Sequence, residues 1–196
     1  GISTQDWFLA ELEICINSKP KYIVGLLSMK IKGGYHANAL VFDTSNRQLT
    51  RFEPHGSTSS SYDISEVDKC INKWLESDIV VNKIGKWTYK SPILYMPFEG
   101  PQTKQSKIRY EQMKGKVFGR ESVIESKGYC SAWSLLFLHY RLANPNIFDQ
   151  DIVSYMLKFN SIELNDKIRQ YVSFIVNNTN IKDVVDNAKK KFSVDD

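Results

Sequence analysis

The chain has 196 residues, 42% of them hydrophobic and 12% aromatic, with 26 Lys and Arg against 22 Asp and Glu. That length suits one domain with a core covering roughly 70% of the surface an unfolded chain exposes, so neither disulfides nor a structural metal is required, and the aromatic content excludes a disordered chain. The net charge of +4 is mild and scattered, its densest run (Lys189-Lys190-Lys191) lies near the end of the chain, and charge alone therefore gives no support to nucleic acid as a partner.

Taken in order, residues 5–17 carry Trp7, Phe8, Leu12 and Ile16 on a helical stripe, with Thr4 as N-cap and Pro20 just beyond the end. Residues 22–31, 36–43 and 48–53 read as three strands separated by Gly33-Gly34 and by Thr44-Ser45-Asn46-Arg47, an antiparallel meander. Residues 63–77 form a helix with Ile64, Val67, Ile71 and Leu75 on one face, and 87–96 a fourth strand ending at Pro97. Residues 97–127 show no clean period and read as a long irregular excursion, which in a compact domain is usually functional. Residues 130–142 are apolar nearly all round, the pattern of a buried helix, stopped by Asn144-Pro145-Asn146. Helical segments follow at 149–159, 166–176 and 181–192. No internal repeat or second domain boundary is visible, so residues 1–196 read as a single α+β domain.

The three cysteines, Cys15, Cys70 and Cys130, are far apart and form no C-x-x-C, which argues against both a disulfide scaffold and a zinc finger. Free thiols suit an intracellular, reducing compartment. No run approaches the roughly 20 apolar residues that cross a bilayer, and no secretory signal is visible, so no membrane partner is expected. The chain begins with Gly1, as expected of a processed chain or a fragment.

Three histidines and three cysteines make any catalytic pairing nearly enumerable. Cys130 opens the buried helix, where unsatisfied N–H groups and the positive end of the dipole favour a thiolate. The bland alternative is a core cysteine, the commoner fate of a free thiol. Cys15 and Cys70 sit inside amphipathic helices and read as core or boundary residues. His36 begins one strand and Glu53 ends its neighbour, positions that an antiparallel hairpin can bring together, so that a carboxylate fixes the tautomer of an imidazole. Here the bland alternatives are a surface turn histidine and a solvated strand-end carboxylate. His55 reads as a turn residue, and His139, in the buried helix, as a packed or partnered histidine. Of Gln102, Gln105 and Gln112, Gln102 has the most fixed approach, after Gly100-Pro101, and its amide can donate to a developing oxyanion.

In this order the residues become specific. His36-Ala-Asn-Ala-Leu-Val-Phe-Asp43, Arg51-Phe-Glu-Pro-His-Gly56 and Gly128-Tyr-Cys-Ser-Ala-Trp-Ser134 resemble the His, acid and nucleophile regions of the papain-like cysteine proteases of clan CE. That clan holds the adenovirus maturation protease, the proteases of SUMO and other ubiquitin-like modifiers, and enzymes of large DNA viruses, and the nucleophile stretch is most similar to the last group. Its characteristic His-to-acid spacing is also found here, 17 residues. The resemblance covers roughly residues 20–142. It differs at Ala37, where the family often has Trp, at Tyr-Cys-Ser in place of Asp-Cys-Gly, and at Val123-Ile124, near which the family places its Gln. With Gln102 in that role, 27 residues stand between it and Cys130.

The resemblance implies a papain-like α+β fold, a central mixed or antiparallel sheet packed by helices, with the nucleophile at the N-terminus of a buried helix. It also implies a cysteine peptidase with Cys130 as nucleophile, His36 as base, Glu53 as its orienting acid and Gln102 at the oxyanion. No metal or organic cofactor is needed. Cleavage is expected after small residues such as Gly-Gly or Gly-Ala, in viral precursors or ubiquitin-like conjugates, by a monomer. Two other readings stay open: an acetyltransferase using the same His-Glu-Cys order, and a non-enzymatic interaction domain.

Overall fold

The β-branched and aromatic runs after Pro20 build a sheet. In the structure, a computed structural model that describes residues 6–31, 34–59, 62–114 and 129–179, β1 (Tyr22–Ile31) and β2 (Gly34–Asp43) pair antiparallel from Tyr22 opposite Asp43 to Ile31 opposite Gly34. The Asp43 side chain accepts from the backbone N–H groups of Ser45 and Asn46, and Arg47 takes a positive φ of 50°, which turns the chain into β3 (Gln48–Phe52). β3 pairs antiparallel with β2, completing the expected meander. β4 (Thr88–Lys90) then adds parallel to β3, so the order β1-β2-β3-β4 is a mixed sheet.

Helices cover both faces. α1 (Asp6–Asn17), α2 (Ile64–Leu75) and α3 (Asp78–Ile84) form a core with Phe42, Leu49 and Trp87; Leu9, Leu12, Ile71, Leu75, Val80 and Ile84 are its buried helical members. α5 (Cys130–Ala143), α6 (Asp149–Leu157) and α7 (Ser161–Asn178) form another with Ala39, Val41 and Phe52. Ala39 and Val41 thus look one way and Leu40 and Phe42 the other, as strand alternation requires. Two covered faces explain why β2 is an almost unbroken buried run while edge strand β1 alternates. Phe52 of β3 stacks on Phe137 of α5, ring centroids 4.2 Å apart, fixing helix to sheet.

Several expectations are corrected. Residues 87–96 are not one strand: Pro92 lacks an N–H, and after Lys90 the chain tightens into a 3-10 turn, Pro92–Leu94. The excursion at 97–127 opens with a helix, α4 (Pro101–Lys114); its sequence has no apolar stripe, so periodicity could not reveal it. Pro101 is its first residue, where a missing N–H costs nothing. Residues 63–77 lead into a further short helix, α3, for which Ser77 is the N-cap. The segment expected at 166–176 is longer, because Asn160 and Glu163 form a reciprocal capping box at the start of α7. His139 is exposed rather than buried, although its ring meets the edges of Tyr171 and Phe174. Thr4, the rest of the excursion at 115–128 and the helix expected at 181–192 lie outside the described residues. Among the described residues no helix is long and apolar enough to cross a membrane.

Candidate active site

Cys130 is the first residue of α5, and Trp133 donates its backbone N–H back to Tyr129 to close the first turn. The helix is tied to β2 at this end: Ser134 Oγ donates to the Ala37 carbonyl, next to His36. This sets the Cys130 thiol where the His36 ring and the backbone amides of Ala37 and Ser131 bear on its ionisation. Burial pushes the thiol's pKa up; the His36 contact, the two amides and the imidazolium charge outweigh it, and the net direction is down. His36 shows the mirror effect. Burial pushes its pKa down, but its hydrogen bonds to Cys130 and Glu53 and their negative charges raise it from 6.5 to about 9. The two shifts together favour the thiolate–imidazolium form of the pair. All three cysteines are free thiols, and Cys15 and Cys70 are half-buried, as boundary residues should be.

The register of the hairpin supplies the acid. Ala39 stands opposite Phe52, so the chain leaving β3 at Glu53 runs back beside Asn38 and His36. Nε2 of His36 donates to Glu53 Oε1 at 2.7 Å, which leaves Nδ1 for the thiol. The side chains are 3% and 0% exposed. Oε1 also accepts from the His55 backbone N–H at 2.8 Å, and Oε2 accepts from Asn38 Nδ2 at 2.7 Å and from the Tyr62 hydroxyl. A carboxylate buried this deeply needs such donors.

Behind it lies a second layer that sequence reading missed. Asn38 Oδ1 accepts from Arg51 Nη1 at 2.6 Å; Arg51 Nη2 reaches Asp68 Oδ1 of α2 at 2.7 Å, and its Nε donates to the Tyr89 hydroxyl, also 2.7 Å away. Cys130, His36, Glu53, Asn38, Arg51 and Asp68 thus form one chain of contacts from α5 across the sheet to α2. Its sequence signal was partial: Asn38 interrupts the run Ala37–Phe42 of β2 and Arg51 stands between Thr50 and Phe52 in β3, and buried polar groups there demand partners.

Gln102 is placed less directly. It lies in the first turn of α4, 9% exposed, and its amide oxygen is buried with no hydrogen-bond partner among the described residues. Its backbone N–H donates to Pro54 O at 3.0 Å, that of Gly100 to His55 O at 2.7 Å, and that of Ser57 to Pro97 O at 2.8 Å. The loop carrying Glu53 is therefore laced to the loop that starts α4. Two glycines permit the approach: a Cβ on Gly100 would lie 2.3 Å from Pro54 O, and one on Gly56, at φ +111°, 2.4 Å from Phe98 O. The structure thus joins Cys130, His36 and Glu53 directly and fixes Gln102 beside the acid's loop. Gln105 ties α4 to its neighbours, since its Oε1 accepts from Trp133 Nε1 at 2.8 Å and its amide nitrogen donates to Asn165. The side chain of Gln112 lies outside the described residues.

His55 is more than a turn residue. Its ring lies parallel to that of His36, centroids 4.5 Å apart and planes at 9°. One ligand atom each from His36, Glu53 and His55 lies within 4.8 Å of the others, a spacing that a metal ion can bridge. Coordination requires the ion near the plane of each imidazole, however, and two parallel stacked rings have no common plane. In this arrangement the three groups do not suit a metal.

Compared with known proteins, the chain is 24% identical over 193 residues to a protein of Acanthamoeba polyphaga mimivirus that carries the name of an ankyrin repeat protein. The match takes in 89% of this chain but 24% of that protein, so the chain spans about a quarter of its length. No family model matches, and no solved structure does. Ankyrin repeats are stacks of about 33-residue units, each a β-turn and two helices. The four-stranded sheet between helices described here is a different arrangement.

Proposed function

We propose that the chain is a cysteine peptidase of the papain-like clan CE type, acting on peptide or isopeptide bonds after small residues. One observation carries the reading: a thiol at the start of a buried helix shares the His36 ring with a buried carboxylate that holds the opposite nitrogen at 2.7 Å. A structural cysteine has no need of such an arrangement, and a nucleophile does.

In this mechanism the Cys130 thiolate attacks the scissile carbonyl carbon and forms a tetrahedral intermediate. Its oxyanion takes hydrogen bonds from the Cys130 backbone N–H and from the side-chain amide of Gln102. The C–N bond breaks as His36 passes its Nδ1 proton to the leaving amine, leaving a thioester on Cys130 and a neutral imidazole. Water attacks the thioester while His36 takes its proton; the carboxylic product leaves and the thiolate–imidazolium pair is restored. Glu53 keeps Nε2 as the donor, fixing the ring so that Nδ1 serves the thiol. The donors around Glu53 keep it in place through the cycle.

The virus that carries the similar protein agrees with the resemblance to enzymes of large DNA viruses. Viral precursors and ubiquitin-like conjugates are the substrates that this resemblance proposes. The test is a panel of Gly-Gly-X peptides and ubiquitin-like proteins carrying a C-terminal fluorophore, with Cys130→Ala and His36→Ala as controls and acetyl-CoA turnover measured beside it. Fluorophore release by the unsubstituted chain, lost in both variants, is the expected result. Acetyl-CoA turnover with no release favours acyl transfer, and neither activity removes the enzyme reading.

A further inference from the structure

We propose that His55 is a positioning residue for His36: its ring is a plate on one face of the catalytic imidazole that sets the ring's tilt and accommodates its charge. The inference rests on the reading of His36 as the acid–base group and goes beyond it, because His55 has no part in the mechanism above.

His36 has two partners, Glu53 at Nε2 and Cys130 at the other nitrogen. The N–H and lone-pair directions of an imidazole lie in the plane of its ring and diverge from its two nitrogens. Two such bonds fix where the ring sits, but they leave rotation about the line between them soft. A tilt of that kind turns the Nδ1 proton away from the sulfur and from the leaving amine. A flat group parallel to the ring removes that freedom, and His55 provides one at 4.5 Å and 9°. Tyr62 meets the same ring obliquely, at 5.5 Å and 46°.

The plate is itself held firmly. Pro54 restricts the backbone before it. The His55 N–H donates to Glu53 Oε1 at 2.8 Å, and its carbonyl accepts from the Gly100 N–H at 2.7 Å and from Thr103 Oγ1 at 2.8 Å. The ring is stationed by the same lacing that fixes the acid. Its Nδ1 lies 3.7 Å from Glu53 Oε1, beyond hydrogen-bond range, so the ring is not itself an orienting donor to the carboxylate.

A neutral ring suits this role, since a π-face is attracted to a cation and a second imidazolium would repel it. Burial holds the His55 pKa below its ordinary value; Glu53 opposes this and the charge of His36 reinforces it. These are the charged groups that bear on His55, Glu53 from its own turn and His36 from β2, while α4 contributes the neutral contacts of Gly100 and Thr103.

The test compares His55→Phe, which keeps a flat π-face, with His55→Leu, which keeps comparable volume without one. Two readouts are taken on folded protein, with the melting temperature as the check on folding. One is the pH profile of Cys130 alkylation by iodoacetamide, which needs no substrate; the other is kcat and KM on the best Gly-Gly substrate. In His55→Leu, alkylation near neutral pH and kcat should fall by about 3- to 30-fold with KM little changed, and His55→Phe should recover most of the loss. Equal rates in Leu and Phe variants of unchanged melting temperature overturn the proposal, as does a loss confined to KM. If no substrate is cleaved, the hydrolase reading fails on its own, and the alkylation profiles still decide the role of His55.

Discussion

His36 holds two contacts that pull its pKa in one direction, and Cys130 holds contacts that pull its own in the other. Iodoacetamide near neutral pH should therefore label Cys130 about tenfold or more faster than the half-buried Cys15 and Cys70 of α1 and α2, and His36→Ala should remove the difference. Mass spectrometry of the labelled peptides reads this directly. Stability carries the same signature. The pKa of His36 is raised from 6.5 in the unfolded chain to about 9, so its contribution is complete below pH 6.5 and disappears as pH rises through about 9. Cys130, whose pKa is lowered, contributes in the opposite sense: its share is present at high pH and lost as pH falls through its folded pKa. Denaturation midpoints measured across that range should show the alkaline loss in Cys130→Ser to a smaller degree and in His36→Gln not at all. Gln102→Ala should lower kcat by about 100- to 1000-fold at nearly constant KM if its amide serves the oxyanion. That Cys130, His36 and Glu53 come together was legible, because Cys130 opens α5, His36 lies near the start of β2 and Glu53 follows the end of β3. Asn38, Arg51 and the stacking of His55 were not, because what they touch depends on register and on a turn that brings a second loop close.

At the level of elements, the apolar pattern located the meander and α5 well, since alternation and an all-round apolar helix are both direct consequences of burial. It failed at α4, which packs through Gln105 and its neighbours rather than through an apolar stripe. It failed again at 87–96, where Pro92 ends the strand after Lys90. The lacing of residues 53–57 to 97–103 is the element-scale device on which the site depends, and Gly100 is its tightest point. Gly100→Ala places a Cβ 2.3 Å from Pro54 O, and the loops must part to admit it. The expected outcome is a stability loss of about 1–3 kcal/mol by thermal or chemical denaturation. Cys130 labelling should fall with it, because the same hydrogen bonds place Glu53, His55 and Gln102. Unchanged labelling in Gly100→Ala would separate the lacing from the site.

The described residues form a sheet between two apolar cores, and one of these contains the helix that carries Cys130. Phe137→Ala empties a stack against Phe52 within that core and should cost about 3–5 kcal/mol; it should also loosen α5 and slow Cys130 labelling in the protein that remains folded. Leu75→Ala in the other core should cost about 2–5 kcal/mol and leave the labelling of folded protein unchanged. The resemblance allowed a mixed sheet, but the residue pattern did not reveal the parallel pairing, because β4 is three residues long and reaches β3 only after α2 and α3. The role of the Cys130 thiol is tested by the rate at which the chain releases the fluorophore from Gly-Gly-ended substrates, beside Cys130→Ala. Turnover that disappears in the variant is expected; equal rates in both proteins, or none in either, overturn the peptidase reading.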